Sequence, residues 1–333
     1  MSFRILSIDG GGIRGVIPGK VLMQLEKEIK SQYGDNKNIT DYFDLVAGTS
    51  TGGILAIGLC IPGLNGKQKF NAKELTDIYV ERGDDIFDIS VWKSIISARG
   101  LNDEKYDAEE LEDALNDYFG DALLSDLTKP CLISSYDIKR RRAHFFRQTA
   151  AVKHDKDNFY AREVARATSA APTYFETAKI KSMTNISYPL VDGGLFANNP
   201  TMCAYAEARN IHEISGSNDM TILSLGTGES KESYPYSEVK DWGATSWVKP
   251  VIDIMSTAVS ETTNFHLEQI FSSSGRSEHY QRIQKTIPTW CSAEMDDASP
   301  GNIRALQEVG EELAAESQDR LKDFVALLGE NSQ

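Results

Sequence analysis

The sequence has no excess of basic residues. Lys and Arg number 35 against 49 Asp and Glu, a formal net charge of -14. Nucleic-acid binding draws on basic side chains that displace counterions, so nucleic acid is not expected as a partner. The same deficit argues against strong attraction to an anionic membrane, unless a local basic patch acts. Cysteine is scarce as well. Cys60, Cys131, Cys203 and Cys291 lie far apart, with no C-x-x-C pair and no Cys/His metal spacing. Free thiols in a reducing compartment are expected, and no metal site. Long apolar runs are missing: the longest, Ile54 to Ile61, is far short of the ~20 residues of a membrane span. Phe3 to Ile8 is interrupted by Asp9 and is too short for a signal peptide. These absences predict a soluble, cytoplasmic protein with at most peripheral contact at a membrane.

What is present is an ordinary globular composition of 333 residues, 41% of them hydrophobic and 25% charged. No repeat, low-complexity tract or linker divides the chain, so one domain over 1–333 is expected. Phe3 to Ile8 reads as a buried strand and Pro18 to Tyr33 as a helix, with Val21, Leu22, Leu25 and Ile29 at helical spacing. Asp44 to Ala47 is a second strand, and Ile54 to Leu59 an apolar helix. Glu109 to Phe119, Ala161 to Ser169, Thr201 to Ile211 and Val248 to Glu268 read as helices. Leu132 to Asp137, His144 to Gln148, Tyr188 to Val191 and Met220 to Leu225 read as strands. Lys139 to Arg142 falls at a hairpin tip, either solvated or placed to meet phosphate headgroups. Asn302 to Leu328 is amphipathic and helical. Alternating strands and helices predict an α/β fold around a mostly parallel sheet. Asp85 to Ile96 carries an apolar stripe that fits either packed core or a lid at a lipid interface.

Two glycine-rich turns carry the chemistry. Gly48-Thr49-Ser50-Thr51-Gly52 is a G-x-S-x-G sequence between a predicted strand and a predicted helix. A sharp turn there presents a serine Oγ at the N-terminus of the helix, and small flanking residues permit it. Gly10-Gly11-Gly12-Ile13-Arg14-Gly15 follows the first strand. Glycines there can turn their amides toward one point, as an oxyanion requires. The same residues also satisfy the dinucleotide pattern G-x-G-x-x-G. The acidic residue expected ~20 positions on would be Asp35, which follows Gly34 in a polar loop rather than ending a strand. Asp192-Gly193-Gly194 ends another strand, where functional groups of open α/β sheets gather. None of the five histidines, His144, His154, His212, His266 and His279, has a context that commends it as a triad member. Ser50 with Asp192 as its base is the better-supported pair.

Taken in order, Ile5 to Gly15, Gly48 to Gly53 and Asp192-Gly193-Gly194 resemble the patatin-like phospholipases. Ala167 to Pro172, Asn198-Asn199-Pro200 and Leu223 to Gly228 agree with that resemblance. It runs from about residue 3 to residue 270 and implies a three-layer α/β/α sandwich. It implies that Ser50 is a nucleophile forming an acyl-enzyme and that Asp192 is the base. It implies an oxyanion hole from Gly10, Gly11, Gly12, Ile13, Arg14 and Gly15. The expected substrates are glycerophospholipids or other acyl lipids, with no cofactor or metal. Some bacterial members of similar size are switched on by a cyclic dinucleotide to degrade membrane phospholipid in antiphage defence. The resemblance therefore leaves open a cyclic dinucleotide activator, bound in the domain or at a homo-oligomer interface. A nucleotide binder without catalysis is the weakest alternative, because Ser50 and Asp192 are both present.

Overall fold

The computed structural model describes residues 2–64, 66–83, 108–172, 174–212, 216–230 and 233–330. The apolar stripe over 85–96 lies outside the described residues.

The strands are β1 (Phe3–Ile8), β2 (Leu45–Thr49), β3 (Cys131–Asp137), β4 (Arg142–Arg147), β5 (Ala178–Lys181), β6 (Ser187–Asp192), β7 (Met220–Leu225) and β8 (Tyr280–Ile283). The helices are α1 (Val16–Tyr33), α2 (Thr51–Cys60), α3 (Ala72–Glu81), α4 (Ala108–Phe119), α5 (Ala161–Thr168), α6 (Thr201–His212), α7 (Ala244–Ser273), α8 (Pro300–Glu316) and α9 (Gln318–Glu330). Single residues set several helix ends. Gly34, at φ 103°, ends α1 with its N–H on the Lys30 carbonyl. Asn71 and Glu74 close a reciprocal cap on α3. Ser299 caps α8 through the Asn302 amide, with Pro300 in the first turn. The expected helical region 302–328 is two helices, because α8 ends at Ser317 and the chain restarts as α9.

All eight strands form one sheet, in the order β5-β6-β3-β2-β1-β7-β8 with β4 on β3. The pairs β1–β2, β1–β7, β2–β3 and β7–β8 are parallel; β3–β4, β3–β6 and β5–β6 are antiparallel. Successive β1 side chains face opposite layers. Leu6 and Ile8 join the larger core with α1, α2, α3, α8 and α9. Phe3 and Ile5 join the smaller core under α6 and α7, with Ala204, Ala208, Leu267 and Phe271. Helices on both faces of a mostly parallel sheet make this a three-layer α/β/α architecture. The small residues of α2 (TGGILAIGLC) are buried all round, as expected of a helix that is apolar on every side.

Two strands escape periodicity. β5 reads Ala-Lys-Ile-Lys and β8 reads Tyr-Gln-Arg-Ile, each four residues long and at an edge of the sheet. Charged side chains blunt such edges against further pairing, and the strands are too short for their pattern to mark them.

Candidate active site

Ser50 sits between the last residue of β2 and the first of α2, at φ 54° and ψ -128°. A side chain rarely adopts that backbone, and holding it there costs about 1–3 kcal/mol. The surroundings enforce it. The Ser50 amide donates to Thr168 Oγ1 (2.9 Å), whose own hydroxyl donates to the Ser134 carbonyl (2.6 Å). Thr49 Oγ1 donates to the Ala197 carbonyl and meets Ser134 Oγ, both at 2.6 Å. The Ser50 carbonyl takes the amides of Gly53 and Ile54, starting α2. The two glycines of G-x-S-x-G are explained by close approach. A Cβ on Gly48 would strike the Gly52 carbonyl and come within 2.6 Å of the Gly53 amide nitrogen. A Cβ on Gly52 would strike the Ile8 carbonyl and come within 2.5 Å of that of Asp9. Thr51 begins α2, with its Oγ1 buried and unpartnered.

Asp192 reaches Ser50 through the topology of β3. β4 takes one edge of β3 along its length, from Leu132 to Asp137. The other edge is shared. β2 runs parallel to its first half and ends with Thr49 opposite Ser134. β6 runs antiparallel to its second half and ends with Asp192 opposite Ser135. The carboxyl ends of β2 and β6 therefore meet head to head, bringing together residues 142 positions apart in the chain. Asp192 is 4% exposed. Its carboxylate accepts the Gly194 amide (2.7 Å) and lines one pocket with Ser50. Burial pushes its pKa up to about 6, against the opposing pull of the nearby Ser50 hydroxyl and the Gly194 amide.

The glycine loop crosses the same point. Several of its amides are already engaged: Gly10 donates to the Asn198 carbonyl (3.0 Å), Ile13 to that of Met295 (3.0 Å) and Arg14 to that of Gly11 (3.2 Å). Gly15 is the packing point of the loop, facing Thr51 and Tyr79. The amides of Gly11 and Gly12 have no hydrogen-bond partner among the described residues, and both glycines line a pocket with Ser50 and Asp192. Of the six loop residues read from the sequence, these two present unengaged donors beside Ser50. Arg14 is buried and its Nε donates to the Gly11 carbonyl (3.3 Å), bracing the turn.

Sequence reasoning did not find the anchors of this loop. Asp9, 1% exposed, makes a two-pronged ion pair with Arg282 of β8, at 2.9 Å and 2.5 Å. Thr227 Oγ1 donates to the Gly10 carbonyl (2.7 Å). Arg282 stands in an edge strand too short to signal itself, and Thr227 has no local pattern that separates it from an ordinary turn. The histidines stand elsewhere. His279 Nδ1 meets Thr221 Oγ1 (2.8 Å). His144 is packed against Phe146, Phe159 and Tyr188, and burial pushes its pKa down to about 4. Among the described residues no histidine lines the Ser50 pocket. The basic tetrad does form the β3–β4 turn, where Arg140 pairs with buried Asp137 (2.6 Å).

Beyond Ser50 the pocket is apolar, walled by Ile54, Leu111, Phe175, Leu195, Ile252 and Met255. A model of the family "Patatin-like phospholipase" matches residues 6–205. The chain belongs to the patatin-like phospholipase family. It is 36% identical to "Patatin-like protein 2" of Arabidopsis thaliana over 93% of this chain and 82% of that one. It is 30% identical to "Patatin-08" of Solanum tuberosum over 99% of this chain and 90% of that one. Among solved structures, VipD from Legionella pneumophila is similar at 12% identity, with a TM-score of 0.41 over 96% of this chain and 67% of that one. In this patatin-like chain the dinucleotide pattern of Gly10, Gly12 and Gly15 has a different context. The loop enters a 3-10 turn over Gly12–Gly15, and Asp35 lies exposed after α1, away from any strand end.

Proposed function

We propose that this chain is a lipid acyl hydrolase of the phospholipase A type, working through a Ser50–Asp192 dyad. The observation that carries the reading is Ser50, on its strained turn, lining one pocket with the buried Asp192 carboxylate and the unengaged amides of Gly11 and Gly12. An apolar pocket beside them suits an acyl chain.

Asp192 takes the proton of Ser50 as Oγ attacks the ester carbonyl. The carbonyl oxygen becomes an oxyanion and is met by the Gly11 and Gly12 amides, with the N-terminus of α2 adding favourable potential. The C–O bond to the alcohol breaks, and Asp192 returns the proton to the departing lyso-lipid. Acyl-Ser50 remains. Water then gives a proton to Asp192 and its oxygen to the acyl carbon, and fatty acid leaves as Ser50 regains its proton. The raised pKa makes Asp192 a stronger proton acceptor than an ordinary carboxylate, and leaves it neutral in acid.

Access to lipid falls to α7. Trp247, Val251, Ile254 and Met255 follow helical spacing and are exposed, and Met255 also lines the pocket. Such a face can lie in the headgroup layer with the pocket mouth against the lipid. Among the described residues no helix is long and apolar enough to cross a membrane, so contact of this kind is peripheral. The test is free fatty acid release from phosphatidylethanolamine and phosphatidylglycerol vesicles by wild type and Ser50→Ala, each with and without cyclic dinucleotides. Release lost in Ser50→Ala supports the reading. Equal release by the two chains refutes it. Release only with one nucleotide assigns the gated variant of the same chemistry.

A further inference from the structure

A second pocket of about 250 Å³ adjoins the first, and Asn198 and Ser256 line both. Its chemistry is the reverse of the acyl pocket. Arg14 lines it and is 6% exposed, with Nε on the Gly11 carbonyl. Its terminal guanidinium nitrogens have no hydrogen-bond partner among the described residues. Those nitrogens open into the pocket, where Asp253 is the carboxylate whose charge acts most strongly on the guanidinium. Asp253 and Glu261 line the same pocket from α7, and Glu229 with the paired Asp9 and Arg282 complete its charged lining. Asp253 is half-buried and accepts the Tyr234 hydroxyl (3.2 Å), while Glu261 is exposed at the rim. A free anion would meet these carboxylates, and a free cation would meet Arg14. A molecule carrying both charges satisfies both walls.

We propose that this pocket is a head-group subsite for a zwitterionic phosphodiester, with Arg14 on the phosphate and Asp253 and Glu261 on the amine. The inference rests on the hydrolase reading for its source of ligand. With an ester carbonyl over Gly11 and Gly12 and its acyl chain in the apolar pocket, the alcohol side of the lipid has Asn198 and Ser256 as its passage to the polar one.

Calorimetry on the Ser50→Ala chain tests the pocket without turnover, using glycerophosphocholine and glycerophosphoglycerol. Kinetics on wild type use dihexanoyl phosphatidylcholine and phosphatidylglycerol as dispersed monomers, which removes vesicle surface charge from the comparison. Glycerophosphocholine is expected to bind at least about tenfold tighter, a difference of about 1.4 kcal/mol. Asp253→Lys is expected to erase that preference and to lower the choline-to-glycerol ratio of kcat/KM by about tenfold or more. Asp253→Asn, which keeps the shape, shifts both in the same direction by less. Equal or absent binding of the two glycerophosphodiesters overturns the proposal, as does a ratio that Asp253→Lys leaves unchanged. If monomeric lipids are still cleaved in that event, the hydrolase reading survives alone. Charge-sensitive binding without any lipid cleavage supports the subsite and overturns the hydrolase.

Discussion

Replacing Asp192 by Asn separates activity from stability. The carboxylate is 4% exposed, and burial moves its pKa from 3.8 to about 6. An acid whose pKa is raised by folding favours its neutral form in the folded state. Its contribution to stability is therefore full below pH ~3.8 and is lost as pH rises through about 6. A rise of that size disfavours the folded state by about 3 kcal/mol at neutral pH. Asn keeps an acceptor for the Ser50 hydroxyl and the Gly194 amide but never ionises. Asp192→Asn is thus expected to be about as stable as wild type at pH 4 and up to about 3 kcal/mol more stable at pH 7.5. For a chain this long, with about 2 cal/mol/K of unfolding entropy per residue, that is a rise in Tm of roughly 4 °C. Activity of the variant is expected to fall at least about a thousandfold, because nothing takes the Ser50 proton. In wild type, kcat/KM is expected to rise with pH and level off above about 6, with about one-tenth of the plateau left at pH 5. Scanning calorimetry of both chains from pH 4 to 8, paired with ester cleavage over the same range, measures all of this. A variant less stable than wild type at pH 7.5, or a wild-type profile flat down to pH 5, would refute the reasoning.

Thr168→Val removes the hydroxyl that accepts the Ser50 amide and donates to the Ser134 carbonyl. Activity is expected to drop about tenfold or more and stability by about 1–3 kcal/mol, as read by kcat and by urea unfolding. Gly52→Ala drives a methyl group into the carbonyls of Ile8 and Asp9, so soluble yield and activity should both collapse; a well-folded, active Gly52→Ala chain would show the elbow to be looser than described. Arg282→Met leaves Asp9 buried without its partner, with an expected loss of about 3–5 kcal/mol in chemical denaturation. Ile254→Ser with Trp247→Ser should lose more activity on phospholipid vesicles than on a dispersed short-chain ester, and a proportional loss on both would take α7 away from the membrane.

Much of this fold was legible where side-chain pattern is local. α1 follows from apolar periodicity, and β1, α2, β3 and β7 from short apolar runs, while the elbow at Ser50 follows from glycines that only close approach explains. The edge strands β5 and β8 were not legible, since four residues are too few for a pattern to mark a strand, even where β5 alternates buried and exposed. At the site, the proposed nucleophile Ser50 and its proposed base Asp192 were both readable as residues at strand ends. Their meeting was not, because it depends on β2 and β6 sharing one edge of β3, a pairing set by the whole sheet. The same limit hid Arg282 and Thr227, which act on the glycine loop from β8 and from the turn after β7. The loop itself shows the complement of that limit: six residues share the motif, but only the three-dimensional hydrogen-bond pattern shows that Gly10, Ile13 and Arg14 engage their amides within the fold.

The site is built from groups that each oppose folding. Ser50 is held in backbone space that costs about 1–3 kcal/mol, and Asp192 carries a charge where burial disfavours it by about 3 kcal/mol at neutral pH. Two glycine amides face a pocket with no partner among the described residues, and Asp9 with Arg282 forms an ion pair whose desolvation offsets much of its attraction. What holds them is the packing around them. Ile17, Val21, Leu22, Leu25 and Ile29 of α1 are buried with Ile303, Leu306, Val309 and Leu313 of α8, each worth about 1.5–3 kcal/mol of apolar burial. α8 lies far beyond the two glycine-rich turns in sequence and lends no residue to the Ser50 pocket. Its packing against α1, the helix that the glycine loop leads into, offsets the strain at Ser50. Cavities in that interface, such as Leu306→Ala, should therefore lower stability by about 2–5 kcal/mol while leaving the pH dependence of catalysis at its wild-type midpoint, and a shifted midpoint would mean that the helices tune the dyad rather than merely support it.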